Sequence, residues 1–258
     1  MFVLKLVFIA CAVLIKCESA FVDTLTKCSI KNDKCIAELY ENSLRYIGSD
    51  GIPELNMPPI DPFKISNVTV TVLDSIKITL TDGVVKGISK CQVKKFHIDM
   101  EALTGTQEFV CDLTVRTNVV FEGSSPAAQG LFGTSSIDGT GKGKVKLEKL
   151  FLHLDFPIIP YKKEDGEIYF KTTKEKIKYK YDVDKASFAA DKITLGSEDI
   201  SKVVVPYLNE NFKTILKTFG RVFFDKVIEY AFTSVELIYG NVAAKYYLEE
   251  DLTPYVKN

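Results

Sequence analysis

Strict alternation of apolar and polar residues dominates the middle of the chain. Apolar side chains occupy every second position in five runs, at residues 68–72, 76–81, 95–101, 109–116 and 176–183. Such alternation is typical of strands that bury one face and expose the other to water. The pattern therefore predicts an antiparallel sheet with one apolar face, and it argues against the fully buried parallel sheet of a nucleotide-binding enzyme.

One run breaks phase. Val145 and Leu147 are apolar, after which the apolar set moves to positions 150, 152, 154 and 156. A slip of one residue turns every following side chain to the opposite face of the sheet. We therefore predict a β-bulge near Glu148–Lys149, which would restore the inward face and bend the strand sharply. Such bends are expected in a strongly curved sheet.

Helical spacing replaces alternation towards both ends of the chain. The stripe from Cys35 to Ile47 predicts a short helix, and Gly48 is expected to end it. The proline-rich segment at 53–62 is expected to run extended along the surface, because proline removes donors and fixes φ. From Leu208 to Ile238 an aromatic-rich stripe continues for about eight turns, with Pro206 expected in the first turn and Gly240 at the end.

A long apolar helix needs a long apolar partner, and the concave face of the predicted sheet is the candidate. We therefore predict an α+β fold, in which a highly curved antiparallel β-sheet wraps a long C-terminal α-helix and a short helix precedes the sheet. The 258 residues contain no low-complexity linker, which favours one domain over residues 20–258.

Residues 1–19 read as a signal peptide that is cleaved after Ser19. Its apolar run, Leu6–Ile15, is too short to span a bilayer, which takes ~20 residues. No second apolar run approaches that length, so we expect a secreted, extracellular protein without stable membrane insertion. Asn67-Val-Thr69 is then a candidate glycosylation site. The net charge of −1 gives no reason to expect nucleic acid as a partner.

Four of the six cysteines lie beyond the predicted signal peptide: Cys28, Cys35, Cys91 and Cys111. An even number in an oxidising compartment favours disulfides. Of the three possible pairings, Cys28–Cys35 with Cys91–Cys111 is favoured because near neighbours close the shortest loops. The other two pairings stay open. A metal site is disfavoured, because no Cys-x-x-Cys spacing occurs and neither histidine has a second ligand nearby in sequence.

Catalytic chemistry is not indicated. His97 and His153 share strand faces with charged residues, so both are expected on the exposed side of the sheet. Gly139-Thr-Gly-Lys-Gly143 is similar to a phosphate-binding loop, but it leads into a strand, whereas such loops open a helix. We interpret it as a flexible turn or a glycine-kinked strand. No enzyme activity and no cofactor are predicted.

Three segments together resemble the insect takeout and haemolymph juvenile-hormone-binding protein family. The first is the Cys28 and Cys35 clip followed by Asp50-Gly-Ile-Pro-Glu-Leu-Asn-Met-Pro-Pro-Ile-Asp-Pro-Phe63. The second is Val145 to Phe156 with the glycines before it, and the third is Tyr207-Leu-Asn-Glu-Asn-Phe-Lys-Thr-Ile-Leu216. The resemblance implies the tubular lipid-binding (TULIP-like) fold with an apolar tunnel, a Cys28–Cys35 disulfide, and a location in haemolymph or another secreted fluid.

The resemblance also implies a small hydrophobic ligand, either juvenile hormone or a long-chain lipid, that a monomeric carrier binds without a covalent bond. Inward apolar and aromatic residues would line the tunnel, and they are Leu44, Val70, Phe96, Ile98, Leu113, Val115, Leu152, Tyr179, Tyr181, Phe212, Phe219, Phe223 and Tyr230. The same stripes also fit a solid core. The alternative is therefore a secreted interaction or signalling protein that keeps the fold with a filled tunnel.

Overall fold

The computed structural model describes residues 20–73, 75–124, 126, 136–195 and 198–256. The predicted signal peptide lies outside the described residues. Within them, an antiparallel sheet curves into a half-barrel around a long C-terminal helix, as the sequence pattern predicts. The fold class is therefore confirmed.

The strands of the half-barrel follow the order β1-β2-β4-β5-β8-β9, and β3 pairs with the first half of β4. Strands β6 and β7 form a separate hairpin. The bounds are β1 Phe63–Val72, β2 Ile76–Lys86, β3 Gln92–Asp99, β4 Thr104–Ser124, β5 Ser136–Pro157, β6 Ile159–Lys162, β7 Ile168–Lys171, β8 Lys178–Leu195 and β9 Glu198–Asp199.

The bulge predicted near Glu148–Lys149 is present in β5. Cys111 pairs with Leu150 and Leu113 pairs with Leu147, so β5 carries one more residue than β4 over this stretch. Lys149 takes up the extra length with a φ of 48°, and its N–H donates to Asp112 Oδ1 at 2.7 Å. The bulge keeps the apolar residues on both sides of it on the inner face.

Cross-strand register separates the two faces of the sheet cleanly. Partners that lie opposite each other share a face. One inner row crosses five strands and is wholly apolar: Phe63, Val85, Val115, Val145 and Phe188. The adjacent outer row carries three cations: Lys64, Val84, Arg116, Lys144 and Ala189.

The N-terminal helix, α1 (Asp33–Asp50), is longer than the predicted segment. Asn32 caps it by accepting from the Cys35 N–H at 3.1 Å. The expectation that Gly48 ends the helix is wrong. A Cβ at Gly48 would lie 2.3 Å from Ser89 Cβ, so this glycine lets α1 pack closely against the turn before β3. Gly51, with a φ of 70°, follows the last helical residue.

The predicted C-terminal helix is two helices, α2 (Ser201–Glu210) and α3 (Phe212–Asn241). Pro206 lies inside α2 and not in a first turn, and α3 continues through Gly240. The break at Asn211 follows from the attachment of α2 to the sheet edge. Asn209 accepts from the Phe188 N–H at 2.8 Å and donates to the Phe188 carbonyl at 2.9 Å. Helix α2 therefore follows β8, whereas α3 turns into the concave face.

The proline-rich segment does not simply run along the surface. Ile52 and Met57 form a bridge around a short turn at Pro53–Leu55, and both side chains are buried. The expectation of an extended surface segment is therefore wrong over this part. The burial of the two apolar residues on either side of the turn outweighs the preference of proline for extended backbone.

Both disulfides lie at one end of the half-barrel. Cys28–Cys35 joins the N-terminal segment to the first turn of α1, and Cys91–Cys111 joins the start of β3 to β4. The largest buried cluster surrounds them and is rich in aromatic rings, including Phe96, Phe156 and Phe170. This disulfide end of the molecule is a packed core.

Candidate functional site

Helix α3 lies in the concavity of the half-barrel. Its backbone packs most extensively against β1, β7 and β8, and less extensively against the central strands β2, β4 and β5. At the disulfide end, the ring of Phe156 on β5 contacts the ring of Phe232 on α3, with the centroids 6.0 Å apart. What fills the space further along the helix therefore depends on the side chains of β2, β4 and β5.

On the β8 side, two tyrosines attach the sheet to α3. The Tyr179 hydroxyl donates to Asp225 Oδ1 at 2.5 Å, and the Tyr181 hydroxyl donates to the Leu216 carbonyl at 2.7 Å. The Tyr181 ring stacks on Phe224 with centroids 4.1 Å apart. Burial, followed by the hydrogen bond to Asp225, raises the pKa of Tyr179 well above its ordinary value. These inward tyrosines anchor the helix, and their polar groups are already engaged.

On the β1 side, the contact is made by Phe63 and Tyr230, whose ring centroids lie 6.1 Å apart. Phe219 and Phe223 lie on the same side of α3 as Tyr230, because they precede it by eleven and seven residues. Both phenylalanines are half-buried. The face of α3 that carries Tyr230 is therefore partly covered at Phe219 and Phe223.

Burial of the inner face changes along the half-barrel. At the disulfide end, Phe96, Phe109 and Leu154 are fully buried. Further along β4, the inner side chains of Val115 and Val119 are only half-buried, although they face the helix. Apolar side chains that face inward and still retain exposed surface border unfilled space.

Three glycines of β5 lie on this half-buried stretch. Gly139, Gly141 and Gly143 pair with the inner-face residues of β4 and therefore lie on the inner face themselves. A Cβ at Gly143 would have the Ala189 carbonyl oxygen, at 3.5 Å, as its one neighbour within 4 Å. This is ordinary contact, with open space beyond it. The segment is part of β5, although its register with β8 shifts between Lys142 and Gly143. Gly143 is the glycine with open space beside it, whereas a Cβ at Gly139 would lie 2.0 Å from the Thr194 carbonyl oxygen.

We name this region the inner chamber. It is bounded by half-buried apolar side chains from the sheet and from α3, namely Val68, Leu80, Val85, Val115, Val119, Val145, Phe188, Phe219, Val222 and Phe223. At one end the buried cluster of Leu150, Val183, Ala186 and Phe224 limits it, and at the other end the cluster around Ile76 does so. The inward side chains around this region are apolar except for Thr117 of β4, which pairs with Gly143.

The residues predicted to line a tunnel fall into three groups. Packed in the core at or beside the disulfide end are Leu44, Phe96, Ile98 and Leu152, and Val70 is buried on β1. Between that core and the chamber are Leu113, Tyr179, Tyr181 and Phe212. At the chamber are Val115, Phe219 and Phe223. Tyr230 was expected to point inward, but it is 44% exposed and lies at the margin between α3 and β1.

Sequence reasoning missed the chamber residues Val119, Val145 and Phe188 and the role of the β5 glycines. The alternation does indicate that Val145 faces inward, but it does not show which residues lie opposite it on the neighbouring strands. The glycines resemble a loop in sequence, because a strand with glycine at successive inward positions has no apolar stripe to reveal it. Only the register with β4 shows which face they occupy.

Both histidines lie on the outer face of the sheet and contact carboxylates. His97 contacts Asp33 at 2.9 Å, and His153 lies between Glu108 and Asp155 at 3.1 Å from each. The side chain of His153 is 24% exposed, so it is more buried than the sequence pattern predicts. Among the described residues, no group of three or more His, Cys, Asp or Glu side chains is arranged so that it could hold a metal ion, and none of their helices is long and apolar enough to cross a membrane.

Comparison with known proteins gives a consistent result. Residues 5–249 match the model of the family described as haemolymph juvenile hormone binding protein. The structure resembles the crystal structure of Epiphyas postvittana Takeout 1 with a TM-score of 0.75 and 20% sequence identity, over 87% of this chain and 99% of that one. No curated protein sequence is a significant match. The structural likeness supports the fold, and the family match covers nearly all of the chain.

Proposed function

Because the chain belongs to the haemolymph juvenile hormone binding protein family, we propose that it is a secreted carrier of one elongated hydrophobic ligand. The observation that carries this proposal is the inner chamber, where inward apolar side chains remain half-buried beside Gly143. A protein that used the fold only as a solid scaffold would gain stability by filling this space.

The chamber walls favour a long apolar molecule over a polar one. Each CH₂ group removed from water contributes about 0.8 kcal/mol, so a chain of about twelve carbons reaches micromolar affinity or better after the costs of association. Juvenile hormone and long-chain fatty acids both meet this description. The hydroxyls of Tyr179 and Tyr181 already bond to α3, so the ligand would be held by burial and not by these two phenols.

The proposal also includes secretion of the protein. A signal peptide at residues 1–19, cleaved after Ser19, would deliver residues 20–258 as one monomeric domain to the extracellular space or haemolymph. Two disulfides fit that compartment. Asn67 is exposed on β1, an edge strand of the half-barrel, and the sequon there would be accessible for glycosylation. The proposed activity is binding without catalysis.

Displacement of a fluorescent fatty acid tests the proposal. Gly143→Leu adds a side chain on the chamber side, where the backbone accepts a Cβ without a close contact. We expect this variant to bind the probe at least tenfold more weakly than the wild type. Thr140→Leu is the control, because it places the same leucine side chain on the same strand but on the exposed outer side.

Native mass spectrometry of the gently purified protein gives an independent measurement. A mass excess that corresponds to one lipid, absent from Gly143→Leu, would support the carrier. If the wild type neither contains a lipid nor takes up the probe, the alternative of a secreted interaction or signalling protein with a filled interior would replace the proposal.

A further inference from the structure

A cluster of cations occupies the outer face of the half-barrel directly behind the inner chamber. We name it the basic patch and define it by Arg116, Lys142, Lys144, Lys146 and Lys192. Arg116 pairs with Lys144 across β4 and β5, and Lys142 pairs with Lys192 across β5 and β8. Neighbouring strands lie about 4.8 Å apart, so these five charges share one compact surface.

The patch follows from the same alternation that builds the chamber. Lys142, Lys144 and Lys146 are the outward residues of β5, and Gly141, Gly143 and Val145 are the inward residues between and before them. Lys64 and Lys86 extend the positive surface across β1 and β2. The sequence therefore places a largely apolar inner face and a cationic outer face on opposite sides of one sheet layer.

The charges of the patch form no close ion pairs, although the nearby ammonium group of Lys192, after the hydrogen bonds from Ser201, helps to lower the pKa of Asp199. None of the five forms a salt bridge with a described residue, whereas the next outer rows contain Lys149–Asp184 and Lys185–Glu148 pairs. The ammonium group of Lys146, followed by partial burial and Arg116, lowers the pKa of Lys144. The cations therefore repel each other in the free protein, and an anionic partner would relieve that repulsion.

Carboxylates border the patch but do not cover it. Asp82 lies in the row of Lys142, and Asp191 is the extra residue opposite the step from Lys142 to Gly143. Asp138 lies two positions before Thr140 on β5, beyond the end of the patch. The patch has a net positive charge in a chain whose overall charge is −1, so charge is separated over the surface.

Exposed apolar side chains lie on the helix that packs against the same edge of the sheet. Helix α2 runs along the β8 edge, where the Ile193 N–H donates to Ser201 Oγ at 2.7 Å, next to Lys192. Val203 is 74% exposed and Tyr207 is 50% exposed on this helix. A cationic surface flanked by exposed apolar residues matches a membrane interface, which offers anionic headgroups and an apolar layer beneath them. A partner that binds through ionic contacts alone would leave Val203 and Tyr207 exposed to water.

We propose that the basic patch, together with the exposed face of α2, docks the protein reversibly on anionic lipid surfaces. The association is peripheral, without insertion of a spanning segment. It rests on outer-face residues alone, so it holds or fails separately from the proposed carrier function. If both hold, docking brings the chamber next to a source or acceptor of apolar ligand.

Co-sedimentation of the full chain with vesicles tests this proposal. Vesicles of phosphatidylcholine with one third phosphatidylserine are compared with phosphatidylcholine alone, at low salt and at 1 M NaCl. We expect the wild type to bind the anionic vesicles at low salt, and to lose that binding at 1 M salt, where the Debye length falls to about 3 Å. Lys142→Glu/Lys144→Glu should lower the partition coefficient about tenfold or more.

The matched control is Lys178→Glu/Lys180→Glu, which makes the same charge change at two outward lysines on β8, away from the patch. It should bind like the wild type, and Tyr207→Ser should bind more weakly at equal charge. Equal loss in both lysine variants, or no binding of the wild type to anionic vesicles, would overturn the proposal. Retention on a sulfated polysaccharide without any vesicle binding would also overturn it and would assign the patch to that polymer. Circular dichroism confirms that each variant is folded.

Discussion

The hydroxyl oxygen of Tyr181 lies 2.6 Å from the point that a Cβ of Gly220 would occupy. Because glycine has no side chain, the Tyr181 hydroxyl of β8 can approach the backbone of α3 at this position. There it donates to the Leu216 carbonyl at 2.7 Å. A glycine inside a helix costs about 1 kcal/mol relative to alanine. Here the contact between sheet and helix offsets that cost.

Gly220→Ala should therefore destabilise the protein although alanine is the better helix former. The added methyl group displaces Tyr181 and overpacks the site, and we expect the free energy of unfolding to fall by about 1–3 kcal/mol. Urea denaturation measures it. Gly240→Ala is the control, because its Cβ would meet the Tyr161 hydroxyl at 3.8 Å, an ordinary contact. A Gly220→Ala protein as stable as the wild type would contradict this account of the contact.

Asp61 should support stability at neutral pH and lose that effect in acid. Its carboxylate accepts from the N–H groups of Gly87 and Ser89 and from the Ser89 hydroxyl. Partial burial opposes ionisation, but these hydrogen bonds and nearby Lys90 hold the pKa of Asp61 below its ordinary value of 3.8. A lowered pKa in the folded state stabilises above pH 3.8, and that contribution disappears as the pH falls through the folded value.

Asp61→Asn tests this directly. We expect it to lower the free energy of unfolding at pH 7 by about 1–3 kcal/mol and to have a smaller effect at pH 3. Asp50→Asn, at the exposed end of α1, is the control for removal of a carboxylate. An equal loss at both pH values would show that the ionised form of Asp61 has no special role.

Alternation was sufficient to predict the sheet, because a half-buried strand repeats every two residues whatever its partners are. It also located the bulge, since the shift of phase between Leu147 and Leu150 cannot be accommodated in a regular strand. The spacing of apolar residues did not predict the break between the two helices at Asn211. Apolar spacing continues through that residue, and the cause is a tertiary contact between Asn209 and β8.

The candidate site was predictable only in part for the same reason. Val115 and Phe219 were selected by face, but face does not distinguish a packed position from one that borders open space. Phe96 obeys the same pattern as Val115 and is fully buried. The difference depends on which tertiary elements cover each strand: Phe96 packs against Tyr40 of α1 and against Phe156, and the local sequence does not encode such contacts.

Stability should fall at alkaline pH through Tyr40. Its ring packs against Phe96 and Phe109, with centroids 5.2 Å and 5.7 Å away. Desolvation, opposed by the Gln107 hydrogen bond, raises the pKa of Tyr40 to about 12 from 10.0. A raised pKa stabilises the folded state up to pH 10, and that contribution is lost as the pH rises from 10 towards 12.

Tyr40→Phe should therefore reduce the loss of unfolding free energy above pH 10, by about 1.4 kcal/mol per pH unit. Urea titrations at pH 9, 10 and 11 measure the slope. Tyr207→Phe, at a half-exposed tyrosine, should keep the slope of the wild type. If the two variants had the same slope, ionisation of Tyr40 would not be coupled to unfolding.

We expect Glu250 to attach the C-terminal tail to the disulfide end of the molecule. Its carboxylate accepts from the Ile30 N–H at 2.9 Å and from the Ser29 hydroxyl at 2.5 Å, within the loop that Cys28–Cys35 closes. Burial opposes ionisation, but these bonds and Lys31 keep the pKa of Glu250 below its ordinary value. Removing the carboxylate leaves the Ile30 N–H without its acceptor, so Glu250→Ala should cost about 1–3 kcal/mol.

Glu249→Ala is the matched control for this variant. Glu249 is exposed, and its contact with Cys28 is a backbone hydrogen bond of 3.1 Å, which alanine retains. We therefore expect Glu249→Ala to change the unfolding free energy by less than about 0.5 kcal/mol. Hydrogen exchange locates the effect, because Glu250→Ala should speed exchange at Ile30 and leave the Tyr181 anchor protected. Unchanged exchange at Ile30 would show that the tail is held by its apolar residues alone.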